Sequence, residues 1–590
     1  MACRRSVVGI VLASASLAAL AASQRPAEPT GTGLILGHVV DAESNQPISG
    51  VLLGLSGGGA VPGPSPAGIG WRLLTDAQGR FVFRNLPKGA YTIVATVGGN
   101  GFSPSGFLVS GLGNQIGAYL NGGYGQLRPG GALETIDLGE GDRLPDAVIR
   151  LWKGGAIEGT VRDEAGEPLV GMVVSAVRRS SDGRLINGPT TTTDDRGAYR
   201  LGTLMPGEYV VVVPQTNVIL PAATVEGLAA IPAGGAPPQN LGAATLPRSM
   251  VSGGIPIGSS RVLTTPLRDA GAMPPLTVGG ALHVYQTTFH PASTIAAQAT
   301  PIAIRSGQER QSIDVQLQPV QAVSVAGTLV DGSGPVVQFE VFLMPVDAGD
   351  GASVLEVART VTDGRGTFTF PLVGAGQYTV LATRRVALLG ARGSPPPAPR
   401  SVAERAGAWA MQTIAVGERD VSNVALVLRP PPQLSGRVEF RSVSGRAAPD
   451  LQRFGLALAR VPPLFRDSIG APPATVGANG EFVITGQPPG RHELRIPVVP
   501  AGWALQSVTI DGRDVTGMPI TVDEKDISGI GVLFTDQPAE LTGTVRGSGG
   551  APDPGASVML FPSDRTRWPD ARVSPGTFRS TRVARSGAFS

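Results

Sequence analysis

Four glycines, Gly79, Gly197, Gly366 and Gly480, each open the same short pattern, and no other feature constrains the chain as much. Two residues after each stands a strand-forming ring: Phe81, Tyr199, Phe368 and Phe482. Ten residues after each comes a second glycine: Gly89, Gly207, Gly376 and Gly490. Two residues beyond that is another ring, Tyr91, Tyr209 or Tyr378, with His492 in the fourth copy. One spacing met four times marks a repeated structural unit.

The spacing also says what the unit is. Thr75-Asp76, Thr193-Asp194 and Thr362-Asp363 precede the first glycine in three copies. An Asp side chain accepts backbone N–H bonds in a tight turn, and Gly tolerates positive φ. The alternating stretch that follows reads as a strand. A Pro-Gly or Pro-x-Gly turn then leads into TIVATV, VVVV, TVLAT or ELRI, which are strands again. Upstream lies an opening motif, GHVVD from Gly37, GTVRD from Gly159, GTLVD from Gly327 and GRVEF from Gly436. Downstream lies a closing strand, AVIRLWKG, SIDVQLQPV, VSNVALVLRP or ISGIGVLFT. About seven short strands per unit, with no convincing helical stretch, predict an all-β chain of tandem small seven-stranded Greek-key β-sandwiches, arranged as beads on a string.

The boundaries follow from the pattern: sandwich one over 32–153, two over 154–320, three over 321–431 and four over 432–538. The anchors lie 118, 169 and 114 residues apart, and a fifth, Gly587, follows after 107. The long interval holds an insertion, about 215–300, with an Ala/Gly/Pro-rich run such as GLAAIPAGGAPPQNLGAATLP that reads as a flexible excursion. Gly98–Gly131 and Ser394–Arg400 read as similar loop material. A fifth unit opens at Leu541 and reaches Gly587 and Phe589, so 539–590 reads as an incomplete sandwich and the chain as a fragment of a longer array.

Composition closes off several alternatives. Gly 82 and Pro 52 among 590 residues are high, but no period of three runs through them, which excludes collagen. A hydrophobic fraction of 42% with 16% charged residues argues against wholesale disorder. Basic residues number 48 against 45 acidic ones, and the only lysines are Lys88, Lys153 and Lys525. No dense basic stripe with interleaved aromatics is present, so nucleic acid is not an expected partner. The start, MACRRSVVGIVLASASLAALAASQ, places Arg4 and Arg5 before an apolar run, Val7 to Ala22, that is short for a membrane span. With Ala19-Leu20-Ala21 as a cleavage site, residues 1–23 read as a signal peptide, which implies an exported chain with no membrane span after processing. The single cysteine, Cys3, precedes the apolar run, so it is neither a lipid-bearing residue nor a disulfide partner.

The pattern GxVxD … PxxGxxV … TDxxGxFxFxxLPxGxY resembles the carboxypeptidase regulatory-like domain, a transthyretin-like sandwich grouped with carbohydrate-binding-like folds. Units one and two carry it best. Unit three has GAGQY, Gly374 to Tyr378, where the others have Pro-x-Gly or Pro-Gly, and unit four lacks Thr-Asp. The resemblance implies an accessory or structural module, without the peptidase such domains accompany. A zinc peptidase needs His and Glu at short spacing and a distant His. None of His38, His283, His290 and His492 has a partner at that spacing, and His492-Glu493 is adjacent within a predicted strand.

Other candidates carry little chemistry. Gly54-Leu55-Ser56-Gly57-Gly58 matches G-x-S-x-G in letters, but no helix follows to build a nucleophile elbow. No G-x-x-x-x-G-K-[ST] loop is present. His283 and His290, seven apart, and Asp76, Asp194 and Asp363 at equivalent turns offer too few ligands for a metal or calcium site. Trp71, Trp152, Trp409, Trp503 and Trp568 occur about once per unit at non-equivalent positions. The first four are candidates for stacking on a glycan, set against packing in cores. No catalytic residue, metal or cofactor is expected. The preferred reading is an exported, non-enzymatic structural or interaction protein with an unknown protein or glycan partner at the cell surface. The alternatives are a carbohydrate-binding array and the accessory region of a hydrolase.

Overall fold

The computed structural model of the chain describes residues 31–57, 71–97, 119–131, 133–179, 185–229, 254–263, 276–346, 355–383, 407–451, 454–460, 474–485, 487–496, 499–500, 502–553, 556–561, 563, 579–583 and 586–589. The leader, Cys3, the loop 394–400, most of the Ala/Gly/Pro-rich run and Trp568 lie outside these residues.

The described chain is almost entirely β. Its strands gather into pairs of sheets that face one another over separate apolar cores. In the first pair, Arg80–Leu86, Gly33–Asp41 and Arg143–Leu151 form one sheet. Trp71–Leu74, Leu52–Gly57 and Gly89–Thr96, with the short strands Gly122–Gly123 and Ile136–Leu138 on the far edge, form the other. Ile35, Val39, Leu53, Phe81, Phe83, Tyr91, Ile93 and Ile149 fill the space between them. Phe81 and Phe83, and Tyr91 and Ile93, alternate with outward positions, as the pleat requires.

The same plan recurs three times. The opening strands Gly155–Arg162, Val323–Asp331 and Leu434–Arg441 pair antiparallel with Ala198–Leu204, Thr367–Val373 and Glu481–Ile484. Each also pairs parallel with a later strand: Glu309–Arg310 and Val315–Gln316, Val421–Val427, and Ile527–Thr535. The facing sheets are built on Val173–Arg179 with Gly207–Val213, Glu340–Pro345 with Gly376–Thr383, and Gly455–Arg460 with Gly490–Arg495. Two compact bodies result, Met1–Gly154 and Gly155–Ser590.

On either side of the Ala/Gly/Pro-rich run, the insertion contributes strands. Asn217–Pro221 pairs parallel with Ala358–Val361 and antiparallel with Ser260–Leu263, which extends a sheet of the third sandwich to seven strands. Ile219, Val262 and Val284 are buried in the third core. In return, Leu355 of the third sandwich is buried with Val177, Leu185, Val210, Val212 and Phe289 in the second. The physical reason is local. Runs such as NVILP and ALHVY are short strands that bury apolar side chains only when laid on a neighbouring sheet. One α-helix, Ala222–Ala229, follows directly, where the sequence offered no convincing helix. Within the fifth segment, Gly543–Thr544 pairs with Ala588–Phe589 and Ser557–Leu560 with Arg579–Arg582.

Candidate functional site

The residues shared by the repeat are held in one recurring cassette. Gly79, Gly197, Gly366, Gly480 and Gly587 all have φ between 69 and 84°. Each carbonyl accepts an N–H 2.8 Å away on the opening strand, from Val39, Val161, Leu329, Val438 and Val545 respectively. A side chain would be strained there, and a Cβ on Gly79 would stand 2.7 Å from the Val39 oxygen. The turn is held by carboxylates: Asp76 Oδ1 accepts from the N–H groups of Gln78 and Arg80, Asp194 from Arg196 and Ala198, and Asp363 from Arg365 and Thr367, all at 2.8–2.9 Å. Hydrogen bonds from the Arg80 and Gln78 N–H groups and the Arg80 guanidinium hold the Asp76 carboxyl below its ordinary pKa. In the fourth sandwich Gly477 occupies the Asp position, and Asn479 Oδ1 accepts from Glu481 instead.

The threonine before each Asp faces inward. Thr75 Oγ1 accepts from Val51 N–H at 3.0 Å and donates to Ile48 O at 2.9 Å. Thr193 makes the same pair of bonds with Met172 and Leu169, and Thr362 accepts from Phe339. The ring after the second glycine closes the second turn. Tyr91, Tyr209 and Tyr378 donate to the carbonyls four residues back, Pro87, Met205 and Gly374, at 2.6–2.9 Å. His492, fully buried, instead places Nδ1 3.1 Å from Gly490 O. Gly89, Gly207, Gly376 and Gly490 begin these ring strands.

The opening glycines have a separate cause. Gly37, Gly159, Gly327, Gly436 and Gly543 lie opposite Phe81, Tyr199, Phe368, Phe482 and Phe589 across the antiparallel pair. A Cβ on Gly37, Gly159, Gly327 or Gly436 would collide with a carbonyl of the parallel closing strand, that of Ala147, Ile313, Val424 or Ile530. The Tyr199 hydroxyl donates to that same Ile313 carbonyl.

The tryptophans do not share an environment. Trp409 is 4% exposed with Arg429 stacked 5.7 Å from its ring centre, and Trp503 is 7% exposed, edge-on to Phe440 at 4.9 Å. Neither ring presents a face to a ligand. Trp152 is half-buried, and Trp71 begins an edge strand opposite Leu55. Ser56 lies within a strand opposite Thr92, so the G-x-S-x-G letters form no strand-to-helix elbow. His283 Nδ1 meets Ala281 O and His290 Nδ1 meets Asp314 O, so each ring is tied to a different carbonyl. Among the described residues, no group of three His, Cys, Asp or Glu is placed to hold a metal, and no helix is long and apolar enough to cross a membrane.

Two polar sites escaped the sequence. In the first sandwich the buried Asp41 accepts from Glu43 and Ser44 N–H through Oδ1, and from the Tyr119 hydroxyl through Oδ2 at 2.7 Å. Lys153 Nζ lies 3.8 Å from Oδ2. Burial pushes the Asp41 carboxyl up, but the hydrogen bonds from Ser44, Tyr119 and Glu43 outweigh it and hold it at about 2. Burial and the bond to Asp41 raise Tyr119 to about 12, which keeps it a donor. Asp41 ends the GHVVD motif, so a signal existed. Tyr119 sits in a Gly-rich stretch with none. The second site is a cleft of about 400 Å³ between the insertion and the third sandwich, lined by Ile257, Ser260, Leu282, Ser324, Thr369 and Asp420. Asp420 there accepts from Ser324 N–H at 2.8 Å.

The "Carboxypeptidase regulatory-like domain" family matches residues 156–225, which holds the second cassette. BOS complex subunit NOMO1 of Mus musculus and BOS complex subunit NOMO3 of Homo sapiens are 29% identical over 168 residues, 28% of this chain. The chain spans only 11% of the length of these curated relatives. Among solved structures, the Bacillus anthracis TIE protein aligns over 83% of this chain and 69% of its own at 12% identity and a TM-score of 0.14. The minor pilin GBS52 of Streptococcus agalactiae aligns over 49% of this chain and 96% of its own at 13% identity and a TM-score of 0.21.

Proposed function

We propose that this chain is an exported, non-enzymatic structural protein whose sandwiches are carboxypeptidase regulatory-like units of the transthyretin-like Greek-key type. The observation that carries the reading is the cassette. In the second sandwich the polar side chains it repeats, Thr193, Asp194 and Tyr209, hydrogen-bond backbone N–H and C=O groups of the same sandwich. Residues that fix turns are the parts of a scaffold, and function then resides on the surfaces between and around the turns. The family match at 156–225 supports extending the name to the sandwiches with the same cassette. The leader reading of residues 1–23 supports export. The interlocking of the second and third sandwiches supports a role in holding partners at a fixed separation.

The test is a paired assay on the purified chain. Peptides with free carboxyl termini are offered with and without zinc, and a glycan array is probed in parallel. The reading expects no turnover and no glycan retained. Zinc-dependent release of C-terminal residues would overturn the non-enzymatic reading. Glycan retention abolished by Trp152→Ala would put the carbohydrate-binding alternative in its place.

A further inference from the structure

The strand Trp409–Val416 ends the seven-stranded sheet of the third sandwich, and its outer side is open among the described residues. It pairs with Gly376–Thr383 along its whole length. On the other side only Trp409 is bonded, exchanging N–H and C=O with Arg429 at 3.0 and 2.8 Å. In an antiparallel ladder alternate residues point their amides to opposite sides. Met411, Thr413 and Ala415 therefore direct N–H and C=O outward, as Trp409 does. Their side chains are exposed, Met411 at 57%.

Open edges are normally defended by charge, proline, a bulge or brevity. The neighbouring edges show these devices. Ile255–Ile257, at the other end of the same sheet, is three residues long with Pro256 in its centre. Leu185–Thr192 carries Pro189, and Thr367–Val373 carries Pro371. Val421–Val427 is broken by a register shift and by Asn423 at φ 67°. At the place equivalent to Trp409–Val416 the other sandwiches have strands of two or three residues: Gly122–Gly123 with Ile136–Leu138, Thr288–Phe289 with Ile302–Ile304, and Ile520–Val522. Trp409–Val416 is eight residues, WAMQTIAV, with no charge, no proline and no break.

The pattern is also self-complementary. If a second copy pairs antiparallel about Thr413, Thr413 meets Thr413 and Met411 meets Ala415, all on the exposed face. A Thr–Thr cross-strand pair is favourable, and within the strand no like charges are opposed. We propose that this edge is the contact through which two copies of the chain associate, by antiparallel pairing of residues 411–415 about a two-fold axis at Thr413. A single-edge contact is small, so the association is weak and reversible.

The experiment is sedimentation velocity across a concentration series on the full chain in a Cys3→Ser background. The expected result is a reversible monomer–dimer equilibrium that Thr413→Pro abolishes. The Thr413 N–H faces outward, so proline there removes no bond to the neighbouring strand, and an unchanged circular dichroism spectrum confirms the fold. A second variant, Thr413→Cys, is expected to form a disulfide-linked dimer on oxidation, because opposed residues of this kind lie about 5.5 Å apart. Val170→Cys, 62% exposed in a turn, should not. A chain that stays monomeric throughout, a dimer indifferent to Thr413→Pro, or equal cross-linking of the two cysteine variants would each overturn the proposal.

Discussion

Thr193 shows what one side chain does in this chain. Its hydroxyl accepts from Met172 N–H and donates to Leu169 O, so it ties the anchor turn to the strand pair before it. Thr193→Val keeps the shape but leaves a buried N–H and C=O without their partner. A loss of about 1–3 kcal/mol is expected, read from the urea midpoint. Gly159→Ala should cost more than replacing an ordinary strand glycine, because the added methyl collides with the Ile313 carbonyl and pushes the parallel strand away. Calorimetry on that variant should show a lowered transition for the second sandwich. Asp41 gives the pH dependence. Its folded value, about 2, is below the ordinary carboxylate value of 3.8, so its stabilisation is complete above about pH 4 and is lost as pH falls through 2. In urea titrations from pH 5 to pH 2, Asp41→Asn should flatten the acid-side fall in stability of the first body by about 2 kcal/mol.

At the scale of elements, the repeat was legible because its glycines answer to geometry. The anchor glycine needs positive φ and the opening glycine needs room for a crossing carbonyl, so the letters survive in every copy of this chain even where Thr-Asp becomes Val-Gly at Val476-Gly477. The insertion was not legible. Its strands Ile255–Ile257, Ser260–Leu263 and Ala281–Tyr285 are three to five residues long and embedded in Ala, Gly and Pro. The strand that Asn217–Pro221 joins begins only at Ala358, and no local pattern announces so distant a pairing. The tryptophans were unreadable for a similar reason. Trp409 and Trp503 are buried by their own cores, and composition alone does not say which way a ring faces. Ile219, 1% exposed on Asn217–Pro221, tests the element directly. Ile219→Ala is expected to cost about 2–5 kcal/mol, and hydrogen exchange should speed up across Ala358–Val361 while Leu52–Gly57 is unchanged.

For the whole molecule, the expected beads on a string are interlocked at one pair. The first sandwich is a body by itself, whereas the second and third exchange parts: the insertion supplies strands and core residues to the third, and Leu355 returns an apolar side chain to the second. Thr216 Oγ1 bonded to Glu356 O and Gln286 Nε2 bonded to Ala375 O add polar ties between them. These ties join the two sandwiches without a disulfide, since the one cysteine is Cys3. Leu355→Ala tests this interlocking most directly. Leu355 is 2% exposed and lies, by sequence, inside the third sandwich. Native-state hydrogen exchange on this variant should show faster opening of Gly207–Val213 in the second sandwich together with Ala358–Val361 in the third. Faster exchange confined to the third, with Gly207–Val213 unchanged, would contradict the account.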